Sequence, residues 1–263
     1  MRLGLFLILA LILLGLTSPR GAAPAAPPSR LLVLGLPAWG PSWLEHEGRR
    51  IPAGCGPEAA RLLLWYWDAC RGLDLVRPAP QRALAELHRL MGTVTVLWEG
   101  VEQGLTWPWK FAQGLEAYVR AALPAARVHT LGAPLDELFQ KAVELLARGN
   151  LPVLLFDWEG RGGLLPNHYA LVVGYDLKER VLVVNPGWGY PFQLVPLADP
   201  EVGPGQLFWL EGPGLAPAPT PLPAPPAECP RVRAYGKNAG FLPWCGARRA
   251  EGLGPGLIRL VWD

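Results

Sequence analysis

The chain is short of charge. Of its 263 residues only 17% are Asp, Glu, Lys or Arg, and Lys110, Lys141, Lys178 and Lys237 are all its lysines. The little charge there is comes out balanced: the formal net charge is +2, and Arg2 and Arg20 supply both units. That excludes the basic stripe that nucleic-acid binding requires, so no nucleic-acid partner is expected. Cysteine is scarce too, with four (Cys55, Cys70, Cys229, Cys245) and no CxxC; the four histidines (His46, His88, His129, His168) show no HxxxH spacing. Standard zinc patterns are therefore excluded, and neither a metal nor a cofactor is expected. After residue 16 no apolar run reaches 18 residues, the length that begins to read as a membrane span. What the chain has in abundance is apolar surface, 51% of residues, which excludes an intrinsically disordered protein. It also has 31 Gly and 30 Pro without a triplet period, pointing to many turns and an extended linker.

Residues 1–25 read as a secretory signal. Arg2 opens it, Leu3 to Leu16 is apolar, and Ala23-Pro24-Ala25 fits a small-x-small cleavage site. The apolar run covers roughly 21 Å as a helix, short for a hydrocarbon core of about 30 Å. Export is the expectation, to the cell envelope or as a secreted protein, with membrane contact only through this segment if it stays uncleaved. Residues 26–30 form a spacer and 31–212 the main domain. Residues 213–227, with seven prolines, read as a stiff linker, and 228–263 as a short C-terminal extension. Thirty-six residues are too few for a core of their own, so the extension packs back on the domain or depends on a staple. Cys229 and Cys245 flank a loop and could close it. Cys55 and Cys70 bracket one predicted helix, about 22 Å apart, too far to pair.

Helices are predicted over 57–70, 80–90, 109–122 and 134–148, and strands over 31–36, 152–158, 168–175, 181–185 and 206–210. The turn at 176–180 joins two strands as a hairpin. Helices first and strands later give an α+β fold with segregated elements.

Gly54-Cys55-Gly56-Pro57 puts a cysteine directly before a helix, where unpaired N–H groups and the macrodipole favour a thiolate. The flanking glycines, Gly54 and Gly56, would let a substrate carbonyl approach. The bland alternative is a small buried hydrophobe. His168 opens a strand after the glycines at 160, 162 and 163, and an imidazole there suits a base for the thiol. The alternative is a surface histidine without a role. The hairpin brings Asn185 near the level of 169–170, where its amide oxygen could accept the imidazole N–H. The alternative is that Asn185-Pro186 is a plain strand stop. Asp157 and Glu159 read as a solvated turn. The Gly-rich stretch 160–163 has no helix signal after it, so a phosphate cradle is not expected.

Cysteine at a helix start, with His and Asn on adjacent strands more than 100 residues later, is the papain-type order. The stretches CGPEAARLLLWYW, GLTWPWKFAQGLEAYV and NHYALVVGYDLKERVLVVNPG resemble the papain-like cysteine peptidases related to the bacteriocin-processing (double-glycine leader) peptidases. The resemblance covers roughly 50–212. It implies a papain-like fold, with N-terminal helices packed on an antiparallel sheet, and cleavage of peptide or isopeptide bonds in a peptide or protein substrate. Cys55 matches the nucleophile, His168 the base and Asn185 the third member. Trp188 becomes a candidate groove residue shielding the His–Asn pair, and Asn167 a neighbouring one. The family's oxyanion Gln, about six residues before the cysteine, is Arg49 here, so Arg49, His46 and Ser42 are the candidate donors. The missing Gln keeps a second class open, a catalytically silent peptide- or envelope-binding module on the same fold. Acyl transfer would use the same three residues.

Overall fold

The computed structural model describes residues 26–157, 166–197, 205–215, 217, 219–235 and 240–263. The expected leader, Trp158, Glu159 and the glycines at 160–163 lie outside the described residues. Among the described residues there are four helices: α1 (Cys55–Arg71), α2 (Pro80–Leu90), α3 (Pro108–Arg120) and α4 (Leu135–Ala147). Strands before and among them are β1 (Arg30–Leu34), β2 (Trp43–His46), β3 (Arg49–Pro52), β4 (Val94–Trp98), β5 (Val101–Leu105) and β6 (Arg127–Ala133). Then come β7 (Val153–Phe156), β8 (His168–Asp176), β9 (Val181–Asn185), β10 (Gln193–Pro196) and β11 (Gly205–Glu211). The C-terminal part adds β12 (Thr220–Pro221), β13 (Arg231–Arg233), β14 (Phe241–Pro243), β15 (Arg249–Gly254) and β16 (Leu257–Trp262).

The result is a mixed α/β fold on one large sheet. Its main path runs β12-β15-β16-β1-β8-β9-β10-β13-β14, and β7, β11 and β6 branch from β8. Among the described residues, the pairings are antiparallel except that of β10 with β13. The expected segregation of helices from later strands does not hold, because β1 to β3 precede the first helix and β4 to β6 lie among the helices.

β8 organises the molecule. All nine of its residues, HYALVVGYD, are buried, as expected of a strand covered on its faces. One edge is shared: β7 takes the His168–Leu171 end and β1 the Gly174–Asp176 end, while β9 covers the opposite edge. The hairpin turn is held by Asp176 Oδ1, which accepts the N–H groups of Lys178 and Glu179 at 3.0 and 3.1 Å. A bulge between Val172 and Gly174 shifts the register so that Asn185 lies opposite Leu171.

α1 packs on β8. Its apolar residues almost encircle it, and Ala59, Ala60, Leu62, Leu63, Leu64, Tyr66 and Trp67 are all essentially inaccessible, the pattern of a core helix rather than a surface one. It ends on Gly72 in the left-handed region. The buried Asp68 of its last turn accepts the N–H groups of Leu75, Val76 and Arg77, which turns the chain towards α2.

The C-terminal extension is woven into the sheet. β16 lies hydrogen-bonded between β15 and β1, with Leu32 opposite Leu260. The Pro-rich stretch runs along the outer edge, where β12 pairs with β15. Cys229 and Cys245 form a disulfide with Cα atoms 4.8 Å apart, closing the β13–β14 hairpin, and Cys55 and Cys70 are free thiols.

Candidate active site

Cys55 is the first residue of α1. Gly54 precedes it at φ 87°, a conformation that turns β3 sharply into the helix. Pro57 has no N–H, and the Glu58 N–H returns to Gly54 O at 3.3 Å. The N–H groups of Cys55 and Gly56 are thus left to face the sulfur. They and the Tyr169 N–H favour the thiolate, but burial outweighs them and pushes the Cys55 thiol up. The sulfur lies against the start of β8: Sγ is 4.0 Å from Asn167 O. With Tyr169 N–H on its other side, it brackets the main chain of His168.

The His168 ring is buried under Trp188, ring centroids 4.3 Å apart, with the Phe156 ring edge-on at 6.0 Å. Its Nε2 lies 3.1 Å from the Pro186 carbonyl oxygen. A carbonyl can only accept, so this contact puts the neutral ring's proton on Nε2 and its lone pair on Nδ1. Burial moves the His168 pKa down to about 4, against a smaller opposing effect of the Pro186 carbonyl. Thiol and imidazole therefore both rest neutral at pH 7.

Asn185 does not orient the ring in the way the sequence suggested. Its Nδ2 donates to Pro37 O at 2.9 Å and its Oδ1 accepts the Gly187 N–H at 3.1 Å. The carboxamide pins the turn that carries the Pro186 carbonyl, and the carbonyl makes the contact with the imidazole. The bulge and the Asn-Pro turn place the main chain, rather than the side chain, beside Nε2.

The oxyanion candidates fall elsewhere. His46 and Arg49 face each other at the tip of the β2–β3 hairpin, both exposed, and Arg49 pairs with Glu102 at 3.2 Å. β3 spans four residues, roughly 10 Å of chain, before the turn to Cys55 even begins. Ser42 is nearer but committed: Arg61 Nη2 reaches its Oγ at 3.3 Å, and its N–H and hydroxyl act on Glu58. The two glycines are needed for packing. A Cβ at Gly54 would lie 2.7 Å from Gly104 O, and one at Gly56 would lie 2.7 Å from Thr106 Oγ1. The chain from β5 into α3 fills that space and is tied to β8 by Tyr169 OH donating to Thr106 O at 3.1 Å.

Two features were missed by the sequence reading. Asp157 is buried, not in a solvated turn, and accepts the Asn167 amide at 2.9 Å. A signal existed, since Asp157 directly follows the fully apolar strand that pairs with β8. Glu58 and Arg61 form a buried pair at 2.5 Å one turn after Cys55, and Arg61 lies 3.9 Å over the Trp39 ring. Burial raises the Glu58 pKa against the pull of Arg61, and lowers that of Arg61 against the pull of Glu58. The pair ties the Trp39–Ser42 loop to α1, while Gly189 N–H donating to Trp39 O at 3.0 Å ties it to the Trp188 side.

No family model and no curated protein matches the sequence. Among solved structures, the chain is similar to the active wild-type interpain A cysteine protease of Prevotella intermedia, with TM-score 0.49 and 13% identity over 74% of this chain and 98% of that one. A fragment of prointerpain A from the same organism gives TM-score 0.49 and 12% identity, over 70% and 73%. At these values the likeness assigns no reaction to the chain.

Proposed function

We propose that the chain is a papain-like cysteine hydrolase acting on peptide or isopeptide bonds. The observation that carries this is the seat of the Cys55 sulfur at the head of α1, against the β8 main chain on both sides of His168. Pro186 holds the imidazole by Nε2, so Nδ1 is the basic nitrogen. With both groups neutral at rest, attack and proton transfer go together. The sulfur bonds to the substrate carbonyl carbon while its proton passes to Nδ1. Collapse of the adduct releases the amine, which takes that proton from the imidazolium, and leaves a thioester. Water then attacks the thioester with His168 as base, releasing the acid and restoring the thiol. The N–H groups of Cys55 and Gly56, at the positive end of α1, are the donors for the developing oxyanion. Asn185 serves as a positioning residue for Pro186. The Cys229–Cys245 disulfide agrees with the export inferred from the leading segment, because such bonds persist in oxidising compartments.

The test is turnover of a panel of fluorogenic peptides. Cys55→Ala removes turnover, and His168→Ala lowers it by about 10²–10⁴. A second reading, a silent peptide-binding module, is favoured by the placement of Arg49 and His46 on a remote hairpin tip. Peptide binding without any Cys55-dependent turnover would select it.

A further inference from the structure

At the same end of the sheet as the site, β13 carries two arginines on one face. Arg231 and Arg233 alternate with Val232, which is buried on the other side. Each guanidinium sits over an aromatic ring: Arg231 at 5.5 Å from the Phe241 centroid and Arg233 at 4.9 Å from that of Tyr190. The two rings meet edge to face at 6.5 Å. Two long side chains are thus each packed on an aromatic ring, which lowers the entropy lost when they bind an anion. The platform is itself anchored. The Arg233 N–H donates to Phe192 O at 3.1 Å, Gln193 Nε2 donates to Ala234 O at 2.7 Å, and the disulfide closes the hairpin.

Register ties this ladder to the site. Arg233 lies opposite Gln193, and Gln193 opposite Val184, the neighbour of Asn185. Two strand spacings, roughly 10 Å, separate the end of β9 from Arg233. Tyr190 follows Trp188, the residue packed against the His168 ring, by two positions. β8, where the sulfur sits, lies one spacing beyond β9, and an extended peptide covers about 3.3 Å per residue, so three to five residues span from the β8–β9 end of the site to the arginines.

We propose that Arg231 and Arg233 bind acidic side chains of the polypeptide substrate, three to five residues from the bond that Cys55 attacks, on the Trp188 side. The distance to the scissile bond rests on the hydrolase reading; the affinity for acidic peptide does not. The test uses the full chain with Cys55→Ser and two fluorescent dodecapeptide pools, one carrying Asp and Glu where the other carries Asn and Gln. Fluorescence anisotropy should show roughly tenfold tighter binding of the acidic pool, a preference that fades at 0.5 M salt. It should vanish in Arg231→Glu/Arg233→Glu and shrink in the milder Arg231→Gln/Arg233→Gln, each checked for an unchanged melting profile. Equal binding of the two pools, or a preference that survives charge reversal, overturns the proposal. So does tighter binding of an oligonucleotide of equal charge. Acidic preference in a wild type that cleaves neither pool sinks the hydrolase reading alone, whereas cleavage indifferent to acidic residues sinks the ladder alone.

Discussion

His168 shows how one residue links the site to stability. Its ring is buried beneath Trp188 and its pKa lies at about 4, below the ordinary value of 6.5, because burial opposes the charged form. Between those two pH values the unfolded chain takes up a proton that the folded chain refuses. Stability therefore rises with pH across that window, is complete above about 6.5, and is lost as pH falls towards 4. A shift of this size corresponds to on the order of 3 kcal/mol. Urea unfolding between pH 7 and 4 should show the wild type losing at most about 0.7 kcal/mol per half unit, roughly a fifth of that total. His168→Gln, which keeps a polar ring-sized group but does not titrate, should lose distinctly less. Parallel curves for the two proteins would mean that the imidazole is not the buried neutral base described above. The same protonation should set the acid limb of any turnover near pH 4, since Nδ1 must be free to accept the thiol proton.

At the scale of elements, the site depends on how closely the β5–α3 segment approaches the start of α1. Gly54 and Gly48 both have positive φ, 87° and 74°, so alanine costs about 1–2 kcal/mol of backbone strain at either. Gly48 points into open space, whereas a Cβ at Gly54 meets Gly104 O at 2.7 Å. Gly48→Ala should therefore lose only the backbone term, while Gly54→Ala should lose about 1–3 kcal/mol more, together with turnover. Equal losses in thermal denaturation would show that the Gly54–Gly104 approach is not rigid. How far elements could be read beforehand follows the same physics. α1 to α4 and the β8–β9 hairpin were legible because their apolar patterns and their Pro, Gly and Asp-containing ends agree. The β2–β3 and β4–β5 hairpins were not, since their two-residue turns are Glu47-Gly48 and Glu99-Gly100, with Glu at φ 49° and 48° in place of the usual Asn or Asp. That Cys55 opens a helix and His168 a strand was legible from chain order and helix chemistry. The Pro186 contact was not, because it depends on a main-chain oxygen and on a bulge whose position no side-chain pattern announces.

At the scale of the whole molecule, the last 36 residues decide whether the sheet is complete. β16 covers the edge of β1 along all five of its residues, and β1 in turn covers the far end of β8. Leu31, Leu32 and Val33, which pair with β16, are at most 1% exposed. The disulfide holds a different part: it encloses β13 and β14, while β15 and β16 follow it in the chain. The two contributions can be separated. Cys229→Ser/Cys245→Ser removes a cross-link spanning 16 residues, which costs about 3 kcal/mol in chain entropy and leaves the β1–β16 pairing in place. This variant should still unfold in one cooperative transition, at lower denaturant, with Trp fluorescence close to that of the wild type. Ending the chain at residue 246 keeps the disulfide but removes β15 and β16, baring the apolar β1 edge as a template for association. That variant should show no cooperative transition and should sediment as aggregates. A truncated chain that remains monomeric and cooperative would mean that the β1–β8–β9 core carrying Cys55's partner residues stands without its C-terminal strands.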